Sequence, residues 1–163
     1  MPRVWLSIGS NVDRERNIRS AVKTLRETWG KLVISRIYES EAVGCKGDRF
    51  FNLVVGFDTD EPIAELSTRL RAIEDAHGRQ RGPDKFAPRT LDIDLLTYGD
   101  AVVRDGSLEL PREEITRYAF ILKPLAELAG DQLHPTAGRT YGALWDAFNE
   151  AGQALWPAEF QIE

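Results

Sequence analysis

Apolar and polar positions follow two periods along this chain, and the switches between them mark out its elements. Residues 4–8 are apolar with β-branched members, bounded by Pro2 and by Gly9-Ser10-Asn11, which predicts a first strand. Ile18, Ala21, Val22 and Leu25 then recur at helical spacing with basic residues between them, and Gly30 stops that helix. Residues 32–38 predict a second strand, and the glycines and charges of 39–49 predict a loop. A third strand spans 51–57. Glu61-Pro62 opens a second helix with the stripe Ile63, Leu66, Leu70 and Ile73, ended by Gly78. A basic loop over 78–89 leads into residues 90–98, the clearest strand of the chain. Gly99-Asp100 turns it into a short strand at 101–103, and Asp105-Gly106 is another turn. Residues 120–128 and 141–148 read as helices.

The order is β-α-β, β-α-β and a partly helical last third. It predicts an α+β sandwich of the ferredoxin-like kind, with helices covering a mainly antiparallel sheet. At 163 residues the chain has room for one domain, taken as 1–163, with no repeat or linker. A hydrophobic share of 42% and a charged share of 29% argue against disorder. The net charge of -5 speaks against nucleic acid as a partner, since phosphate backbones need a basic face. The lone Cys45 cannot form an internal disulfide, and the first apolar run is too short for a signal or a membrane span. A cytoplasmic protein without membrane contact is the expectation.

Pro88-Arg89-Thr90-Leu91-Asp92-Ile93-Asp94-Leu95-Leu96 is the most informative segment. Strand side chains alternate, so Asp92 and Asp94 point one way and Leu91, Ile93 and Leu95 the other, the aspartate Cα atoms being about 6.5 Å apart. Carboxylates side by side repel, and aspartate is a poor strand residue. Magnesium answers both points if phosphates complete its shell. The alternative is a solvated strand face bearing two surface acids. Arg79, Arg81, Lys85 and Arg89 fall within eleven residues just upstream, and guanidinium groups suit phosphate oxygens. Cations for phosphates next to anions for their metal read together as a metal-triphosphate site. No P-loop and no GxGxxG motif is present. Zinc does not fit one cysteine and the distant His77 and His134. Gly9-Ser10-Asn11 can be an anion-binding turn or a simple turn with Asn11 near the helix cap.

Over nearly its whole length the chain resembles the 6-hydroxymethyl-7,8-dihydropterin pyrophosphokinases of folate biosynthesis. The resemblance rests on Ile8-Gly9-Ser10-Asn11, Phe51-Asn52, Ile73-Glu74 with Gly78-Arg79-Gln80-Arg81, the PRTLDIDLL run and Phe120-Ile121-Leu122-Lys123-Pro124-Leu125. It implies a three-layer α/β/α sandwich and an ordered reaction, ATP binding before the reduced pterin. The pterin hydroxyl attacks the β-phosphorus of ATP and AMP leaves. Magnesium, as two ions, is held by Asp92 and Asp94. Residues matching Arg79 and Arg89 lie in loops that close over the reactants, and Glu74 and Arg81 match nucleotide-side positions. On the pterin side Asn52 reads the ring edge, Phe50 and Phe120 sandwich the ring, and Ser40 and Val43 complete the pocket. A monomer is implied.

The sequence departs from the family pattern near both substrates. Leu110-Pro111-Arg112 carries Arg112 where the family has an ATP-contacting histidine, so Arg112 is taken as an ATP ligand. Tyr118 replaces an arginine two residues before Phe120, and Ser40-Glu41-Ala42 replaces Thr-x-Pro. Alternatives therefore stand beside the expected activity: another metal-dependent phosphoryl or nucleotidyl transferase, a divergent paralogue acting on a modified pterin, or a non-catalytic ligand-binding protein of ferredoxin-like fold.

Overall fold

In the computed structural model, which describes residues 1–41, 48–78 and 90–162, the first apolar run lies in β1 (Arg3–Ser10), an inner strand of the main sheet. Val4, Trp5, Leu6 and Ile8 are all buried, as a strand covered on both faces requires. β4 (Phe50–Asp58) and β5 (Asp92–Tyr98) flank it, both antiparallel. The short β2 (Val33–Ile34) and β3 (Tyr38–Ser40) pair with β4, and β8 (Leu155–Pro157) adds an edge beyond β3. The strand order is β5-β1-β4-β3-β8, with β2 beside β4. β6 (Val103–Asp105) and β7 (Leu108–Leu110) form a separate hairpin.

Helices cover both faces. α1 (Arg14–Trp29) brings Ile18, Ala21, Val22 and Leu25, and α2 (Ile63–Ala76) brings Leu66, Leu70 and Ile73, onto Val4, Leu6, Ile8, Leu53 and Val55. The opposite face carries Trp5, Val54 and Leu96 under Ile121, Leu122 and Leu125 of α3 (Ala119–Ala129), joined by Tyr141 at the start of α4 (Tyr141–Asp146). Each such aliphatic side chain, fully buried, stabilises the fold by about 1.5–3 kcal/mol. Among the described residues no helix is long and apolar enough to cross a membrane.

Some elements differ from the sequence expectation. The strand expected at 32–38 is broken, because the Ser35 hydroxyl oxygen accepts the Val54 N–H at 2.9 Å in place of a main-chain carbonyl. The second piece, β3, continues to Ser40, into the segment expected to be loop. The short strand expected at 101–103 is shifted to Val103–Asp105, where the Asp105-Gly106 turn supplies β7 as partner. α4 stops at Asp146, and β8 was not expected at all.

Candidate active site

Register decides which side chains meet. Ser7 lies opposite Asp94 and Gly9 opposite Asp92 on one side, and Gly9 lies opposite Asn52 on the other. Asn52 faces Tyr38, and Phe50 faces Ser40. Residues directly opposite in a ladder project to the same face. Asp92, Asp94, Gly9, Asn52, Phe50 and Ser40 thus rise from one end of the face whose other end, at Trp5, Val54 and Leu96, is covered by α3. Where the α3 cover ends, a cavity of about 680 Å³ opens, lined by these residues with Arg112, Glu114 and the Tyr118–Ile121 turn.

Asp92 and Asp94 form its acidic end. Burial, and next the charge of Asp92, raise the Asp94 carboxyl well above the usual carboxylate range; Arg112 opposes the shift, and Glu74 and Glu114 add to it. The Arg112 guanidinium lies 3.5 Å from Asp94 Oδ1 and donates to Glu114 Oε2 at 2.9 Å. Its place is set by the main chain, because the Arg112 N–H donates to the Leu96 carbonyl at 3.0 Å on the outer edge of β5. The residue expected on ATP is thus held, in this state, against the aspartate pair.

A pair of carboxylates on one face, with the Asp94 carboxyl pushed up even beside Arg112, is a donor set that fits magnesium. That ion takes one or two carboxylates and leaves the rest of its shell to phosphate and water. Among the described residues no group of three or more His, Cys, Asp or Glu could hold a metal. His77 is spent elsewhere, its ring nitrogens 2.7 Å from the Ile73 carbonyl and 2.8 Å from Ser20 Oγ.

The other end of the cavity suits a flat, polar-edged ring. Buried Asn52 donates through Nδ2 to Ser40 Oγ at 2.8 Å and to the Tyr38 carbonyl at 3.3 Å. Its Oδ1 lies over Gly9, where a Cβ would meet it at 3.4 Å. Phe50 and Phe120 both line the cavity half-buried, and the Phe120 ring stacks on Tyr118 with centroids 5.2 Å apart and planes at 28°.

Other expected residues fall elsewhere. Glu74 is buried and does not line the cavity; its Oε2 accepts the Ile93 N–H at 2.7 Å, between the two aspartates. Val43, Arg79, Arg81 and Arg89 lie outside the described residues. The Gly9-Ser10-Asn11 turn ends two residues before Asp13, the N-cap of α1. Ser10 Oγ donates to the Thr90 carbonyl at 2.6 Å and Asn11 Nδ2 to the Asp48 carbonyl at 3.2 Å, tying the roots of β5 and β4 to β1. Sequence reasoning missed Ser7, Glu114 and the segment Gly152-Gln153-Ala154-Leu155, all of which line the cavity. Only a polar residue inside an apolar strand signalled Ser7, and nothing local marked the other segment.

Residues 5–130 match the family model of 7,8-dihydro-6-hydroxymethylpterin-pyrophosphokinase. The 2-amino-4-hydroxy-6-hydroxymethyldihydropteridine pyrophosphokinase of Aquifex aeolicus is 35% identical over 137 residues, covering 83% of this chain and 85% of its own length. The enzyme of that name from Methylorubrum extorquens is 38% identical over 135 residues, covering 80% of this chain and 85% of its own. A solved HPPK-DHPS chain in complex with substrates superposes with a TM-score of 0.69 over 92% of this chain at 15% identity. This chain spans only 44% of that longer one, and the likeness speaks for the fold alone.

Proposed function

Since the chain belongs to the 7,8-dihydro-6-hydroxymethylpterin-pyrophosphokinase family, we propose that the cavity between Asp94 and Asn52 is where it carries out the reaction of that family. The reaction moves pyrophosphate from ATP to 6-hydroxymethyl-7,8-dihydropterin in folate biosynthesis. The hydroxymethyl oxygen bonds to the β-phosphorus, and the bond from that phosphorus to the oxygen bridging the α-phosphate breaks. AMP leaves with the bridging oxygen, and the hydroxyl proton passes to solvent.

The observation that carries the assignment is that one end of a single cavity is acidic and the other amide-lined and aromatic. Asp92 and Asp94 would hold magnesium, as two ions, which when bound supplies neutralising charge to the triphosphate. Asn52, held by its bonds to Ser40 and Tyr38, presents a fixed amide to the pterin edge, and Phe50 and Phe120 offer ring faces to its plane. Val43 completes this end on the strength of the resemblance. Arg79, Arg81 and Arg89 would take the phosphates; Arg112, close enough to Asp94 to move between carboxylate and phosphate, would join them. Glu74 would act behind the site, fixing the backbone between the aspartates. Phosphoryl transfer depends on such positioning and charge neutralisation more than on covalent help. We read the architecture as a ferredoxin-like three-layer α/β/α sandwich forming a single unit over 1–163, supported by helices on both sheet faces. The reading carries with it a monomeric, cytoplasmic enzyme acting on small molecules, with sedimentation and cell fractionation as its checks.

The test is incubation of the purified protein with ATP, magnesium and the hydroxymethyl pterin, with nucleotides resolved by chromatography. AMP formation that requires both magnesium and pterin is expected, and Asp92→Ala is expected to remove at least about 10³-fold of the rate while remaining folded. ADP in place of AMP would mean phosphoryl transfer, and near-normal turnover by Asp92→Ala would overturn the metal assignment.

A further inference from the structure

The cavity has a wall outside the segment that matches the family model. That match ends at residue 130, yet Gly152, Gln153, Ala154 and Leu155 line the same cavity as Phe50 and Phe120. Pairing of β8 with β3 delivers this wall, with Leu155 opposite Ser40. Gln153 then fastens it across the cavity mouth. Its Oε1 accepts the Ala119 N–H at 2.9 Å, and its Nε2 donates to the Arg117 carbonyl at 3.1 Å.

Those two backbone groups flank Tyr118, the residue through which the chain enters α3. The Tyr118 side chain gives the helix no cap bond, so an orphan N–H of the first turn is satisfied by a residue 34 positions away. One amide grips the corner from both sides, using a donor and an acceptor together. Among side chains of this length only glutamine has both groups on one rigid plane. Phe120 follows immediately, stacked on Tyr118. Whatever fixes the 117–119 backbone therefore fixes the ring pair facing the cavity.

We propose that Gln153 is a positioning residue for the acceptor substrate: it clamps the 117–119 corner so that the Tyr118–Phe120 pair is already set to receive a flat heteroaromatic ring. The proposal rests on the pterin end of the cavity being where Phe120 lies. A receptor ring fixed in advance saves the ordering cost that a loose one would incur on binding. Because the clamp acts on the acceptor end and not on the aspartate end, its loss separates the two substrates.

The experiment compares wild type with Gln153→Met, which keeps the length and loses both bonds, and Gln153→Glu, which keeps the acceptor for Ala119 and loses the donor to Arg117. Acceptor KM and kcat are measured at saturating magnesium and ATP, and affinity for a non-hydrolysable ATP analogue is measured separately. The Met variant is expected to raise acceptor KM about tenfold and the Glu variant by less, with kcat and analogue affinity held within about twofold. An unchanged acceptor KM in a folded Met variant overturns the proposal, as does a parallel loss of analogue affinity, the mark of a merely structural role. If the Met variant does not fold, the Glu variant decides by the same split. A wild type that forms no AMP removes the reading of the site and this proposal with it; an active wild type whose variants keep its acceptor KM removes this proposal alone.

Discussion

A half-buried carboxyl and a buried imidazole answer desolvation in opposite ways. Asp94 is driven up by burial and by Asp92, so its charged form is costly until positive charge arrives. His134 is driven down by burial alone. Its Nδ1 accepts the N–H groups of Thr136 and Ala137 at 3.1 and 3.0 Å, which only an unprotonated nitrogen can do. The folded state therefore binds this proton less readily than the unfolded chain, and the contribution of His134 to stability falls as pH drops below the unfolded value of about 6.5. Because the raised Asp94 acts in the opposite sense over the same window, the His134 effect is read as a difference: urea unfolding at about pH 7 and about pH 5 is expected to show a limb tilted further toward loss at low pH in wild type than in His134→Asn. An equally steep limb in the variant would count against His134 as its source. Of these residues only the aspartate pair was legible in the sequence, because strand alternation alone puts Asp92 and Asp94 on one face. Arg112 was legible as a cation but not as the partner of Asp94, since the backbone bond to Leu96 that delivers it has no local signature.

The elements read well where one period fills a whole segment. The stripes of α1 and α2 and the apolar runs of β1 and β5 name their buried faces directly. β8 does not: Leu155-Trp156-Pro157 is short, ends in proline and becomes a strand only because β3 offers an edge. The face shared by β1 and β4 yields a sharper distinction between two glycines. At Gly56 a Cβ would fall 2.4 Å from the Trp5 ring, a contact no relaxation of a packed indole can absorb cheaply. At Gly9 a Cβ would meet Asn52 Oδ1 at 3.4 Å and Phe50 Cδ1 at 3.5 Å, which is close but bearable. Gly56→Ala is therefore expected to cost about 1–3 kcal/mol in urea unfolding. Gly9→Ala is expected to stay within about 1 kcal/mol of wild type while raising acceptor KM. A destabilised Gly9→Ala with normal KM would move Gly9 from the cavity to the scaffold.

At the scale of the whole molecule, a chain of net charge -5 has to attract a triphosphate more negative than most of its own surface. In sequence, Arg79, Arg81, Lys85 and Arg89 fall in one stretch just before Asp92 and Asp94, and the proposed function joins those cations to that pair. This much was readable from spacing. The closure of the cavity by residues 152–155 was not, because it depends on pairing between strands far apart in sequence. A site built as two carboxylates and a set of cations is incomplete toward either ligand taken singly. Magnesium alone finds two carboxylates and lacks the phosphates that fill its shell, and ATP alone brings negative charge toward the same carboxylates. The two together satisfy each other, so the stabilisation they give should exceed the sum of their separate effects. At a ligand concentration of about a hundred times Kd the joint effect is about 2.7 kcal/mol, or roughly 5–10 °C in Tm for a chain of this size. Thermal unfolding with magnesium, with ATP plus chelator, and with both is expected to show a large shift only in the last case. A shift of the same size with magnesium alone would point to a complete protein cage. The same shift with ATP plus chelator would release Asp92 and Asp94 from any metal role, leaving the arginines to hold the nucleotide unaided.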